Sequence, residues 1–151
     1  MKHKRHFSGQ SLLEFALIFP LVALLIIGFF DLGRAVFYYS SLSNAVREAS
    51  RDGIVANLTT EADFKDYLTD QVETYGFGLN MLDMIVIDAK PVNIDTDKFI
   101  EEVEVTATYC FVPVTPMITS IISATCSNGT PGFDLQAVSV MQMEPGKRFT
   151  E

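Results

Sequence analysis

Between Gln10 and Phe30 the chain carries one ionisable side chain, Glu14, in an otherwise uncharged and strongly apolar run. A carboxylate at the centre of a membrane helix costs about 2.5–3.5 kcal/mol on insertion scales, and less towards the helix end. Glu14 therefore either rests at an interface or is compensated from outside the chain. Few other residues offer chemistry. Both histidines, His3 and His6, precede Gly9. The chain beyond them has no imidazole for Ser-His-Asp or Cys-His catalysis, or for a histidine metal site. Asp95 and Asp97, or Glu101, Glu102 and Glu104, carry the oxygen ligands that calcium takes. They lack EF-hand spacing and its fixing glycine, and they read as a solvated face. No glycine-rich phosphate loop occurs. Asn57-Leu58-Thr59 and Asn128-Gly129-Thr130 match the glycosylation triplet, which is common by chance. The expectation is a protein without cofactor, metal or small-molecule substrate, and not an enzyme.

The elements around Glu14 are legible from pattern. At 151 residues there is room for one membrane segment and one small domain. Counted from Ser11, the apolar run is long enough to cross a hydrocarbon core of roughly 30 Å as a helix. A buried core helix would keep a polar face, and this run has none. Lys2, Lys4 and Arg5 stand before Gly9 with no acid among them, so the amino-terminal side is expected to stay in the cytoplasm and the remainder to be exported. Residues 1–9 carry three positive charges in a chain of net charge −8, which leaves −11 on the rest. So acidic a domain would repel nucleic acid. The run also continues into FFDLGRAVFYY without a small-x-small site, unlike a removable signal peptide.

Beyond the run, Leu32, Ala35, Val36, Tyr39, Leu42, Ala45, Val46, Ala49 and Gly53 recur at three- and four-residue steps, while Arg34, Asn44, Arg47 and Glu48 fall elsewhere. This predicts one helix leaving the bilayer and ending near Gly53, roughly 60 Å long over some 40 residues. Pro20 is expected to kink or loosen it. Thr60 and Asp63 have capping-box spacing ahead of a second helix with Phe64, Leu68, Val72 and Tyr75 on one face, stopped by Gly76 and Gly78. The period then changes to two. Met84–Ile87 reads as a short strand. In EVEVTATYCFV, Val103, Val105, Ala107, Tyr109 and Phe111 oppose Glu102, Glu104, Thr106 and Thr108. Pro113 and Pro116 end that strand, Met117–Ser123 suggests a helical turn, and Leu135–Met143 is the last strand. The fold class is α+β: a long transmembrane helix continuing into a small domain with a second helix and an antiparallel sheet.

Three stretches resemble one family. GQSLLEF, Gly9–Phe15, is similar to the processing motif of Flp-type (Tad) prepilins. DLGRAVFYYSSLSNAVREASRDG, starting at Asp31, resembles the TadE-like pseudopilins. YCFVPVTPM, Tyr109–Met117, and the closing AVSVMQME are similar to later parts of that family, although Cys110 departs from its usual pattern. Asn57 to Ile100 has no match. The resemblance implies a pilin-like head and cleavage between Gly9 and Gln10 by a prepilin peptidase, with Glu14 and Phe15 as the assembly and processing residues. It divides the chain into a cleaved leader 1–9, a transmembrane segment 10–33, an exported helical continuation 34–58 and a head 59–151. It implies a minor pseudopilin of a Tad/Flp pilus or secretion machine, single-pass in the cytoplasmic (inner) membrane and destined for an extracellular, adhesive filament. The implied partners are membrane lipid, the peptidase, other pilin and pseudopilin subunits and the Tad inner-membrane assembly platform. The alternative is an uncleaved, signal-anchored protein with an exported binding domain.

Export also bears on the two cysteines. Cys110 and Cys126 flank a short turn in an oxidising compartment, which favours a disulfide over two buried thiols. Closing that loop stabilises by about 3 kcal/mol in the chain-entropy picture.

Overall fold

The computed structural model describes residues 9–56, 60–79, 85–94, 100–116, 118, 121 and 123–143. The basic leader 1–8, the triplet at Asn57, Met84, and Asp95 with Asp97 lie outside the described residues.

The first helix, α1, spans Gln10–Val55 without interruption, 46 residues that include Pro20. At 1.5 Å per residue it is about 69 Å long. It closes two residues beyond Gly53, where Ala56 turns extended and donates its N–H to the Asp52 carbonyl at 2.9 Å. Its two halves differ in environment. Leu12, Leu13, Phe15 and Leu17 are exposed, and nothing in the most apolar 18-residue window is buried against the protein. The mean hydropathy of that window is 2.6, which suits a lipid surround. In the second half Leu42, Ala45, Val46, Ala49 and Gly53 are buried.

The lower part of the expected stripe is displaced. Leu32, Val36 and Tyr39 are 61%, 62% and 50% exposed, while Asp31 is buried and Ala35 and Tyr38 pack on the core. From Phe29 to Tyr39 apolar residues surround the helix. Periodicity there cannot say which side the head will cover.

The second helix, α2, is Glu61–Tyr75. Thr60 caps it by accepting the Asp63 N–H at 3.1 Å, satisfying one of the first-turn donors that no helical carbonyl reaches. Gly76 ends it, donating to the Val72 carbonyl at 2.8 Å. Phe64, Leu68 and Val72 are buried against α1. Tyr75 stays 40% exposed and donates its hydroxyl to the Asp52 carboxylate at 2.7 Å. Gly53 makes the crossing close: a Cβ there would lie 3.0 Å from the Phe64 ring and 3.1 Å from Leu68.

Three strands follow, β1 (Ile85–Ile94), β2 (Ile100–Phe111) and β3 (Phe133–Gln142), in one antiparallel sheet of order β1-β2-β3. The first runs well past the expected Ile87. Pro91 lies within β1, which is an edge strand, where a missing N–H need not cost a ladder bond. The pairing slips between Pro91 and Ile94. In β2 the alternation holds: Val103, Val105, Ala107, Tyr109 and Phe111 are buried and their neighbours Glu102, Glu104, Thr106 and Thr108 half-buried. In β3 and just past it, Phe133, Leu135, Ala137 and Met143 belong to or pack on the core, while Val138 and Val140 face out. Of the turn at Met117–Ser123, Ile118 and Ile121 are helical, and Met117, Thr119, Ser120 and Ile122 lie outside the described residues.

The upper half of α1 lies against α2 and β3 and touches β2, and α2 reaches β1. Lys65 joins α2 to β1 through Asp88 at 3.2 Å. Each fully buried Leu, Val or Phe in this core contributes roughly 1.5–3 kcal/mol. The head is thereby built directly onto the helix that carries the apolar run.

Candidate functional site

Two regions of α1 bear on function: its first turn and the neck where the apolar run meets the head. At the first turn Gly9 is the N-cap and Gln10 the first helical residue, with no side-chain cap. The Leu13 N–H donates to the Gly9 carbonyl at 3.1 Å. Glu14 lies one turn in, exposed, and accepts from the Gln10 side-chain amide at 3.3 Å. Phe15 stacks on Phe19, with ring centroids 5.5 Å apart. Among the described residues nothing from the head approaches this turn, and Glu14 and Phe15 are exposed.

The neck is built around Asp31, the first charged residue after the apolar run. Its side chain is almost fully buried and accepts four hydrogen bonds. Val114 N–H donates at 3.0 Å, Thr115 N–H at 2.6 Å, Thr115 Oγ1 at 2.6 Å and Arg34 Nη1 at 3.1 Å. A buried carboxylate is tolerated only when its lone pairs are met in this way. Arg34 follows by three residues, on the same helix face. Its guanidinium lies 5.6 Å from the Tyr38 ring centroid and 5.4 Å from that of Phe111, within cation–π range. Tyr38, one turn higher, meets Tyr109 at 5.5 Å and Phe111 at 6.0 Å between centroids. DLGRAVFYY and YCFVPVTPM, quoted above as separate resemblances, are thus one structural unit, although Asp31 and Thr115 stand 84 residues apart. Neither Asp31 nor Thr115 stood out in the sequence. The available signal was that Asp31 and Arg34 are the first charges after an uncharged run.

The neck loop is tied back to the sheet. Cys110, at the end of β2, is bonded to Cys126 with an S–S distance of 1.97 Å and Cα atoms 5.7 Å apart, so that Val114 and Thr115 lie inside the closed loop. Beyond the bridge, Asp134 accepts from the Ser127 N–H at 3.0 Å and from its hydroxyl. Gly132 passes so close that a Cβ would fall 2.6 Å from the Phe111 carbonyl and 3.0 Å from the Cys126 sulfur. The sulfurs and the Asp134 carboxylate lie within 4.8 Å of one another, but both sulfurs are spent in the disulfide and offer a metal no thiolate. Glu102 and Glu104 alternate along β2 and converge on no described site.

A bare apolar helix that runs unbroken into an α+β head, clamped at its neck, defines an α+β protein with a transmembrane-like first helix. Residues 9–51 match the family model for TadE-like protein, a likeness that covers less than a third of the chain. The match opens at Gly9 and covers α1 almost to its end; α2 and the sheet lie beyond it. No curated protein and no solved structure matches the chain.

Proposed function

We propose that this chain is a minor pseudopilin of a Tad/Flp pilus or related secretion machine, released from its leader by a prepilin peptidase. One observation carries the reading: the TadE-like match opens at Gly9, where α1 begins, and the apolar half of that helix is left uncovered by its own head. A helix that buries none of its apolar window against its own chain is free to move from lipid into a bundle of like helices. The basic leader sits on the cytoplasmic side and the acidic head is exported.

Cleavage between Gly9 and Gln10 removes the leader and leaves a free amine beside the first turn. In the filament Glu14 pairs with the amine of a neighbouring subunit, which sets axial register as subunits leave the membrane. Removing either partner strands a buried charge, at a cost of about 3–5 kcal/mol. No catalysis is involved: the protein acts by association with pilin subunits, the peptidase and the assembly platform.

The deciding experiment is the intact mass of the membrane-bound chain, expressed with and without a Tad-type prepilin peptidase. A product beginning at Gln10, abolished by Gly9→Ala, is the expected result. Retention of the leader under both conditions overturns it in favour of an uncleaved, signal-anchored protein. Glu14→Gln should be processed normally but fail to enter filaments; normal incorporation would remove the pairing role.

A further inference from the structure

The clamp at Asp31 fixes the height of the loop that follows β2. Resting on the membrane-spanning reading of α1, that height can be measured along the helix. A hydrocarbon core of roughly 30 Å is crossed by about 20 helical residues. If the core begins at Gln10 it ends near Asp31; if it begins just after Glu14 it ends near Ala35. Either placement puts Asp31 at the boundary or just inside it. Thr115 and Val114 are hydrogen-bonded to Asp31, so they lie at the same height. Pro113, Thr115 and Ile118 line a groove with Gly28, which belongs to the apolar run itself. The loop therefore reaches down beside the last turn of the run.

Its composition suits that position. From Phe111 to Phe133 the chain carries no charged residue, although 20% of the whole chain is Asp, Glu, Lys or Arg. Val114 is 67% and Ile121 77% exposed, and Val112 is exposed beside them. Water is an unfavourable medium for these exposed apolar side chains on an uncharged stretch. At this height the medium around it is lipid. The buried Asp31 carboxylate fits the same picture, because at the edge of a bilayer a charge must be met by protein donors where water is scarce.

We infer that the described residues Val112, Val114 and Ile121 after β2 make a second membrane contact, a foot that inserts Val114 and Ile121 into the head-side leaflet next to the transmembrane helix. The occupant of this surface is phospholipid, at the level of the headgroups and upper acyl chains. Two points of contact hold the head at a set tilt on the bilayer before assembly, where a single helix would let it swing.

The two native cysteines are bridged, so one added cysteine is the only free thiol of the full chain. An environment-sensitive fluorophore is attached in turn to Val114→Cys, Ile121→Cys, Phe30→Cys and Val138→Cys. Each protein is placed in phosphatidylcholine nanodiscs with and without acyl-brominated lipid, as the uncleaved chain and without peptidase, so that processing plays no part. Phe30 marks the span, and Val138, exposed on β3, marks the water-facing head. Bromolipid should quench the Val114 and Ile121 labels several-fold, as it quenches Phe30, and leave Val138 unchanged. Adding Ile121→Asp should release the Val114 label from quenching while Phe30 keeps it. If Phe30 is quenched and Val114 and Ile121 behave like Val138, the foot does not exist. If they are shielded only as the protein-to-lipid ratio rises, the surface is a protein contact and the inference falls. An unquenched Phe30 would instead remove the membrane span on which both readings stand.

Discussion

Replacing Asp31 tests how the head is held on its helix. Asp31→Ala removes the acceptor for two backbone N–H groups, one hydroxyl and one guanidinium at a buried position. Hydrogen bonds to a charged group contribute about 1.5–3 kcal/mol each, and they are not additive on one carboxylate. Arg34 is 40% exposed and can turn to water, so the loss falls mainly on the backbone N–H groups and the Thr115 hydroxyl left without an acceptor; at about 1–3 kcal/mol for a stranded donor, Asp31→Ala is expected to cost about 3 kcal/mol. Asp31→Asn keeps the shape and one acceptor oxygen, but it turns an amide donor towards donors already in place, so a loss of about 2–3 kcal/mol is expected. At 4–8 °C per kcal/mol for a domain of this size, Asp31→Ala lowers Tm by at least roughly 12 °C. The assay is thermal unfolding of the full chain in detergent, followed by near-UV circular dichroism, with amide exchange read at Val114 and Thr115. Exchange at those two residues should rise far more than in the centre of β2. A variant within 1 kcal/mol of the parent, or unchanged exchange at Thr115, would refute the clamp. Glu14→Gln, at a residue that touches none of the described head residues, is the control and should leave Tm where it is.

Three other outcomes are expected from the same chain. Reduction, or the Cys110→Ser/Cys126→Ser pair, should cost about 3 kcal/mol and raise exchange across 112–116, because the bridge closes a 16-residue separation around the neck loop. Gly53→Val should destabilise the crossing of α1 and α2 by about 1–3 kcal/mol, since Phe64 and Leu68 already stand in the way; Gly33→Ala, with nothing within 4 Å, should be neutral or stabilising, and denaturant melts separate the two. The Tyr75 phenol is raised above its usual pKa by its hydrogen bond to the Asp52 carboxylate. A raised folded-state value stabilises below the unfolded pKa of about 10 and the contribution is lost as pH climbs through the folded value, so Tyr75→Phe should flatten the dependence of Tm on pH above about 10 and leave it unaltered at neutral pH.

The parts of the fold that could be read in advance share one property: each is written in a local period. The apolar run, the upper stripe from Leu42 to Gly53, the capped start at Thr60 and the strict alternation of Val103 to Phe111 needed no knowledge of distant residues. At the neck the period is silent, because between Phe29 and Tyr39 almost every face is apolar. The choice of Tyr38 over Tyr39 as the inward residue is made by Tyr109 and Phe111 on another element. Asp31 and Thr115 are unremarkable where they stand in the chain, and their meaning arises only when the sheet brings them together. The length of β1 was hidden for a different reason. The strand continues through Asp88, Lys90 and Pro91, residue types that are sparse in strand interiors, and an edge with one side free accommodates their backbone. Glu14 stands out as the one charge of the apolar run and Gly9, Gln10 and Phe15 by motif, because among the described residues no contact with the head involves them.

The unbroken helix has a mechanical consequence. Since α1 is one uninterrupted helix, Glu14 and Asp31 are fixed in phase on a single rod, and in the proposed bundle the direction in which the head points is set by how the apolar half is rotated. Adding one residue between them would turn the head by about 100° and lift it by about 1.5 Å while changing no side chain in either site. Spacing along the rod is therefore a kind of information in itself: it dictates which flank of the head looks outward once the other end is seated.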